Sequence, residues 1–181
     1  MRQLIAIATL VFASVASSAF AAPYKLETIA ENLAFPWSVA FLPGGDYLVA
    51  ERSGQVQRVR ADGSATPLSG VPDTYFAGQG GFFDIVLDPD FEANQRVYLS
   101  YAHGTAEANG TGIVRARLSD KGFEDRELIF VSEPLRATPQ HYGGRMVFLS
   151  DGTLLLTTGD GFEYREAAQI VEKQLGKIMR I

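Results

Sequence analysis

The chain has 181 residues, a net charge of −5, no cysteine and a hydrophobic content of 46%. The lack of cysteine excludes thiol catalysis, disulfide staples and thiolate metal sites. With 16 basic residues scattered among 21 acidic ones, the chain has no clustered cationic face for a nucleic-acid backbone, and a neutral or small polar substrate fits better.

The chain opens in the order of a secretory signal: Met1-Arg2-Gln3, a thirteen-residue apolar stretch from Leu4 to Ala16, then Ser17 to Ala21 with a small-x-small cleavage site. A membrane span needs about 20 apolar residues, so no stable anchor is expected. Residues 1–21 are read as a signal peptide and 22–181 as a secreted or periplasmic domain.

From there glycine is frequent, the apolar runs are short, and no helical period persists, which predicts an all-β fold. Trp37 to Arg52 reads as strand, turn, strand, and Gln55 to Arg60 follows as a third alternating run. Phe82 to Phe91 turns through Glu92 to Arg96 into Val97–Tyr101, and Gly112 to Leu118 completes a second unit. Arg145 to Asp160 repeats the pattern, with Gly176 to Ile181 as its closing strand. The turns at Pro43, Pro89 and Ser150 lie 46 and 61 positions apart, on the scale of β-propeller blades of about 40 to 50 residues with a loop insertion. Such rings close with about 4 to 8 four-stranded blades. Three units are too few, and Ile181 falls in an apolar strand, so the chain is expected to be an incomplete propeller.

The connections differ in character. Asp62 to Gln79 and Glu133 to Gly144 are long and each ends in a glycine-rich turn entering a strand. Residues 103–111 are expected to form a mobile polar excursion, with His103 as an exposed side chain without a role. Between Gly161 and Leu175 a helical turn or loop is expected, with Glu163, Glu166, Lys173 and Gln174 facing water.

His141 opens the turn Gln140-His-Tyr-Gly-Gly-Arg145 directly before a strand. Two readings fit it: a loop histidine capping a carbonyl, or a neutral imidazole suited to accept a proton. Gly78-Gln-Gly-Gly81 is not a phosphate cradle, because a strand and not a helix N-terminus follows it. It presents Gln79, which has both donor and acceptor, at the entrance of a strand. Gln79 and His141 hold the same place in successive units and would face one end of a propeller. Asp88-Pro-Asp90 fails as a calcium loop, with Ala93 at the sixth position and Leu99 at the twelfth. Asp151-Gly152 and Asp160-Gly161 read as turn chemistry, and no Gly-x-Ser-x-Gly elbow occurs.

Four blocks in order, Pro36 to Pro43, Gly78 to Phe91, His141 to Phe148, and Ala168-Gln169 leading to Leu175–Ile181, resemble the soluble, pyrroloquinoline-quinone (PQQ)-dependent aldose sugar dehydrogenases of the glucose/sorbosone dehydrogenase family. The resemblance implies a six-bladed propeller, of which about three blades would be present, with calcium assisting PQQ. It implies oxidation of an aldose at C1 to the lactone, with electrons leaving to an external acceptor. His141 would then be the catalytic base, and Gln79, Gln140 and Gln169 candidates for substrate or cofactor binding. In the glucose-specific branch an acidic residue precedes the histidine, and here Gln140 stands there, which favours the broader aldose branch. Arg145 would brace its loop. The residues that clasp PQQ and calcium would lie in later blades, so no metal ligand is assigned. Two other readings compete: a secreted propeller that only binds, and a calcium-dependent lactonase-type propeller for which Asp84 and Glu51 are the acidic candidates.

Overall fold

A computed structural model describes residues 24–181, so the expected signal peptide lies outside the described residues. Eleven strands form three separate antiparallel sheets. The first contains β1 (Pro36–Phe41), β2 (Tyr47–Glu51), β3 (Gln55–Val59) and β4 (Ala65–Pro67), hydrogen-bonded in chain order. The second contains β5 (Phe82–Leu87), β6 (Arg96–Gly104), β7 (Asn109–Leu118) and β8 (Phe123–Val131), with the one-turn helix α1 (Phe91–Asn94) between β5 and β6. The third contains β9 (Gly143–Phe148), β10 (Leu154–Thr158) and β11 (Ile178–Arg180), again in chain order. These are propeller blades, each an up-and-down meander.

Local chemistry sets the turns. Leu42 N–H donates to Asp46 O (2.8 Å) and Gly45 N–H to Leu42 O (3.0 Å), closing the Pro43-Gly-Gly-Asp46 turn between β1 and β2. A one-residue irregularity between Leu156 and Thr158 shifts the register of β10 against β9. The blades stack through apolar side chains. Leu48, Ala50 and Val56 of the first blade meet Phe82, Ile85 and Leu99 of the second in one core cluster. Tyr98 and Ile113 meet Met146, Leu154 and Leu156 of the third in another. Each large side chain so buried contributes about 1.5–3 kcal/mol.

The innermost strands β1, β5 and β9 meet at Asp84, a residue of β5 only 7% exposed. Its Oδ1 accepts from Ser38 Oγ on β1 (2.5 Å) and from Arg145 Nη1 on β9 (3.1 Å), and its Oδ2 from Met146 N–H (2.8 Å). Arg145 Nη2 also donates to Trp37 O (3.1 Å). Arg145 therefore braces strands across blades, a wider role than bracing its own loop.

Three expectations need correction. Residues 103–111 are not an excursion: β6 runs to Gly104, β7 begins at Asn109, and Asn109, Gly110 and Thr111 are buried. Their polar groups are satisfied across the blades, with Tyr142 O–H donating to Asn109 Oδ1 (2.6 Å) and Thr111 Oγ1 to Tyr142 O (2.7 Å). His103 sits in β6, half-buried, with Nδ1 3.1 Å from the phenolic oxygen of Tyr101. Gln174 does not face water alone, because its Oε1 accepts from Glu133 N–H (2.8 Å).

Removing a buried acceptor strands its donors. Asp84→Ala is expected to destabilise the full-length protein by about 3 kcal/mol in urea unfolding; a loss below about 1 kcal/mol would show that the three inner strands do not depend on it.

Candidate functional site

The inner strands enter from one end, so the loops before β5 and before β9 lie side by side. Arg52 fixes the first of these loops, donating from Nη2 to Gly78 O (2.5 Å) and from Nε to Gly80 O (3.1 Å). Gln79 then joins the two. Its N–H donates to Pro139 O (2.8 Å), and its Oε1 accepts from His141 N–H (2.9 Å). The residue behind the turn must be small: a Cβ on Gly144, at φ +100, would stand 2.4 Å from Phe83 Cβ.

His141 itself has φ +49, in the left-handed region that non-glycine residues rarely occupy. Its Nδ1 lies 2.8 Å from Asp160 Oδ1, and the side chain is 39% exposed. Asp160 also accepts from Phe162 N–H (2.8 Å). That bond, followed by the His141 contact, holds its carboxyl below the ordinary aspartate range against the opposing effect of burial. An ionised carboxylate only accepts, so Nδ1 of the neutral imidazole carries the proton and Nε2 is left as the acceptor. The Phe162 ring stands edge-on to the imidazole, with centroids 5.3 Å apart.

A cleft of about 360 Å³ opens beside this group, lined by Trp37, Arg52, Gln79, Phe83, His141, Tyr142 and Gly143. Beneath it, burial pushes the Tyr142 phenol up to about 12, partly offset by Arg136. The phenol therefore stays protonated. The arrangement offers an oriented proton acceptor, an amide and an aromatic wall, which suits removal of a proton from a hydroxyl held in the cleft.

Of the residues read from sequence, His141 and Gln79 come together and both line the cleft. Gln140 adjoins His141, but its contact is a main-chain one, its carbonyl accepting from Arg136 Nη2 (3.3 Å). Gln169 ends the exposed 3-10 turn Arg165–Gln169 and lies outside the cleft lining. Sequence reasoning missed Asp160, taken only as a turn residue, and Arg136. Asp84 and Glu51 are engaged by their own chain, Glu51 Oε1 accepting from Ala34 N–H (2.8 Å). Among the described residues no group of three His, Cys, Asp or Glu side chains gathers to hold a metal ion.

Comparison with known proteins gives a consistent set of matches. The sequence profile of the family described as Glucose / Sorbosone dehydrogenase matches residues 33–181. The chain is 38% identical over 172 residues to an aldose sugar dehydrogenase of Escherichia coli K12, covering 91% of this chain and 46% of that protein. The solved structure of the soluble aldose sugar dehydrogenase from Escherichia coli, in its apo form, superposes with a TM-score of 0.81 at 38% identity, over 86% of this chain and 46% of that one. The PQQ-bound form of an aldose sugar dehydrogenase from Streptomyces coelicolor superposes with a TM-score of 0.76 at 32% identity, over 86% and 47%. The chain thus spans about half the length of the relatives it matches.

The Asp160 carboxyl, lowered in the folded state, contributes stability that is present above its unfolded value of about 3.9 and is lost as pH falls through the folded value. Asp160→Asn should therefore be less stable than the parent at pH 7, with the difference closing below about pH 4. Urea midpoints at the two pH values measure this, and a difference that persists in acid would contradict it.

Proposed function

The chain belongs to the glucose/sorbosone dehydrogenase family, and on that footing we propose that it carries the proton-accepting part of a site that oxidises aldoses at C1 to the lactone with PQQ. The observation that carries the reading is the His141–Asp160 pair at 2.8 Å, opening on a cleft that Gln79 also lines.

The residues present fit PQQ as a planar, anionic group: Trp37, Phe83 and Tyr142 supply aromatic wall, and Gln79 and Arg52 polar rim. When bound, PQQ supplies the two-electron sink for the C1 hydride and passes the electrons to an external acceptor. His141 Nε2 takes the C1 hydroxyl proton as that carbon becomes a carbonyl. Asp160 keeps Nδ1–H pointing at itself and stabilises the imidazolium formed. Gln79 has its Oε1 committed to His141 N–H, which leaves its Nε2 to donate to the sugar or cofactor edge. Calcium is a different matter. Among the described residues no three His, Cys, Asp or Glu side chains gather to hold it, so no ligand is assigned to it and no step here runs through it. Export to the periplasm or medium rests on the signal-like order of residues 1–21.

In the full-length protein, His141→Ala is expected to cut aldose-dependent dye reduction by about 10²–10⁴-fold while PQQ binding stays largely intact. Sugar binding without any dye reduction in the parent protein would favour a propeller used only for recognition. The 181 residues alone should give no turnover, because the first blade exposes Trp37 (51%) and Phe41 (68%) and the third exposes Ile178 (72%). Normal dye reduction by that segment with aldose, calcium and PQQ would overturn this.

A further inference from the structure

We propose that Arg136 is the residue that positions the base, clamping the backbone of His141 from the connection between the second and third blades and setting a buried positive charge behind the His141–Asp160 pair. The inference rests on the reading of His141 as the proton acceptor.

Arg136 lies between β8 and β9, and its backbone pairs with Asn109 at the start of β7 through N–H to Asn109 O (2.9 Å) and O from Asn109 N–H (2.8 Å). The residue is only 2% exposed. Burying a guanidinium costs several kcal/mol unless neighbours compensate. Here the compensation points at the site. Nη2 donates to both Gln140 O (3.3 Å) and His141 O (3.2 Å), and the guanidinium stands 4.8 Å from the Tyr142 ring centroid. Nε and Nη1 meet no acceptor among the described residues, so no carboxylate neutralises the cation by direct contact.

The other half of the pair is built on the same group. A Cβ on Gly161, at φ +69, would stand 2.3 Å from both Cδ and Nε of Arg136. The turn that carries Asp160 and Phe162 therefore packs directly on the arginine. One planar group fixes the carbonyl of the base on one side and the turn of its carboxylate on the other. Both carbonyls are held by Nη2 alone, so what lysine lacks is the planar group that packs on the Tyr142 ring and on Gly161 while its tip reaches them.

Charge gives the clamp a second effect. Burial draws the Arg136 pKa down while Tyr142, Asp160 and Tyr164 oppose it, and a guanidinium, so strongly basic to begin with, stays charged. The charged and titratable groups facing His141 are Asp160 and Arg136, Arg52 across the cleft, Tyr142 beneath, and Arg165 stacked 4.7 Å over the Phe162 ring. Asp160 alone is negative. A carboxylate beside an imidazole favours the imidazolium, which is no longer a base, and a cation on the same side opposes that field.

Arg136→Met and Arg136→Lys in the full-length protein test this. For the methionine variant, turnover per bound PQQ should fall about 10- to 100-fold with the aldose KM changed less than about threefold. The acid limb of its kcat/KM profile should move to higher pH, and so should the NMR titration of the His141 imidazole, assigned by its loss in His141→Asn. The lysine variant keeps the charge and loses the planar group packed on Tyr142 and Gly161, so its pH profile should stay near the parent's while its rate falls. A methionine variant with the parent's acid limb and titration overturns the proposal, whatever its stability. If Arg136→Met does not fold, Arg136→Lys with an unchanged rate overturns it as well. Absence of aldose turnover in the parent would count against the proposed function, and the imidazole titration, which needs no turnover, would still decide the role of Arg136.

Discussion

The carboxylate of Asp84 is the point on which the site's geometry depends. It takes a hydroxyl from β1, a guanidinium and an amide from β9, and belongs itself to β5. A single buried acceptor thereby fixes three inner strands in height and direction. Hydrogen bonds weaken over a few tenths of an ångström, so strands held this way cannot slide independently. Gln79 precedes β5 by three residues and His141 precedes β9 by two. Their 2.9 Å contact across two blades follows from that alignment, since each loop inherits the position of the strand it enters.

The alignment also explains what could be read from the sequence. Strand, turn and repeat are local signals, carried by alternation in runs such as Gln55 to Arg60 and by turn residues such as Pro43 and Asp46, and they placed Gln79 and His141 at one end of the fold. Asp160 was hidden by the β10 irregularity. In the regular part of the β9–β10 ladder Leu156 faces Met146, a register that would put His141 opposite Gly161; after the shift Thr158 faces Gly143, and His141 comes opposite Asp160. Arg136 was hidden for another reason. An arginine in a Pro- and Thr-bearing loop reads as solvated, and only the tertiary packing of Tyr142 and Gly161 encloses it. Asn109 and Thr111 misled in the same way, because their polar groups are satisfied by Tyr142 of the next blade and not by water.

Two non-glycine residues at the site sit at positive φ, His141 at +49 and Phe162 at +67. Such residues cost of order 1–3 kcal/mol each and persist where surrounding contacts over-determine them. For His141 those contacts are Gln79 on the amide, Arg136 and Gly161 N–H on the carbonyl, and Asp160 on the ring. For Phe162 they are the Asp160 carboxylate on the amide and Arg165 over the ring. The strain is therefore fixed by the protein's own contacts, which suits the proposed role of His141 because a preorganised acceptor need not rearrange during proton transfer.

The source of the carboxylate matters as much as its presence. An acid at position 140 would belong to the same loop as His141 and would reach the imidazole only through that loop's own conformation. Asp160 instead extends β10, so the imidazole ring is oriented by the third blade's ladder while the second blade sets the backbone through Gln79. Orientation and position are thus controlled by different blades and meet in one residue. A shift between the blades would move His141 N–H away from Gln79 without breaking the Asp160 contact, and a change in the β9–β10 hairpin would turn the ring without moving the backbone. The proposed base and the two side chains that hold it lie within two adjacent blades, so its alignment reduces to how firmly those two blades are packed.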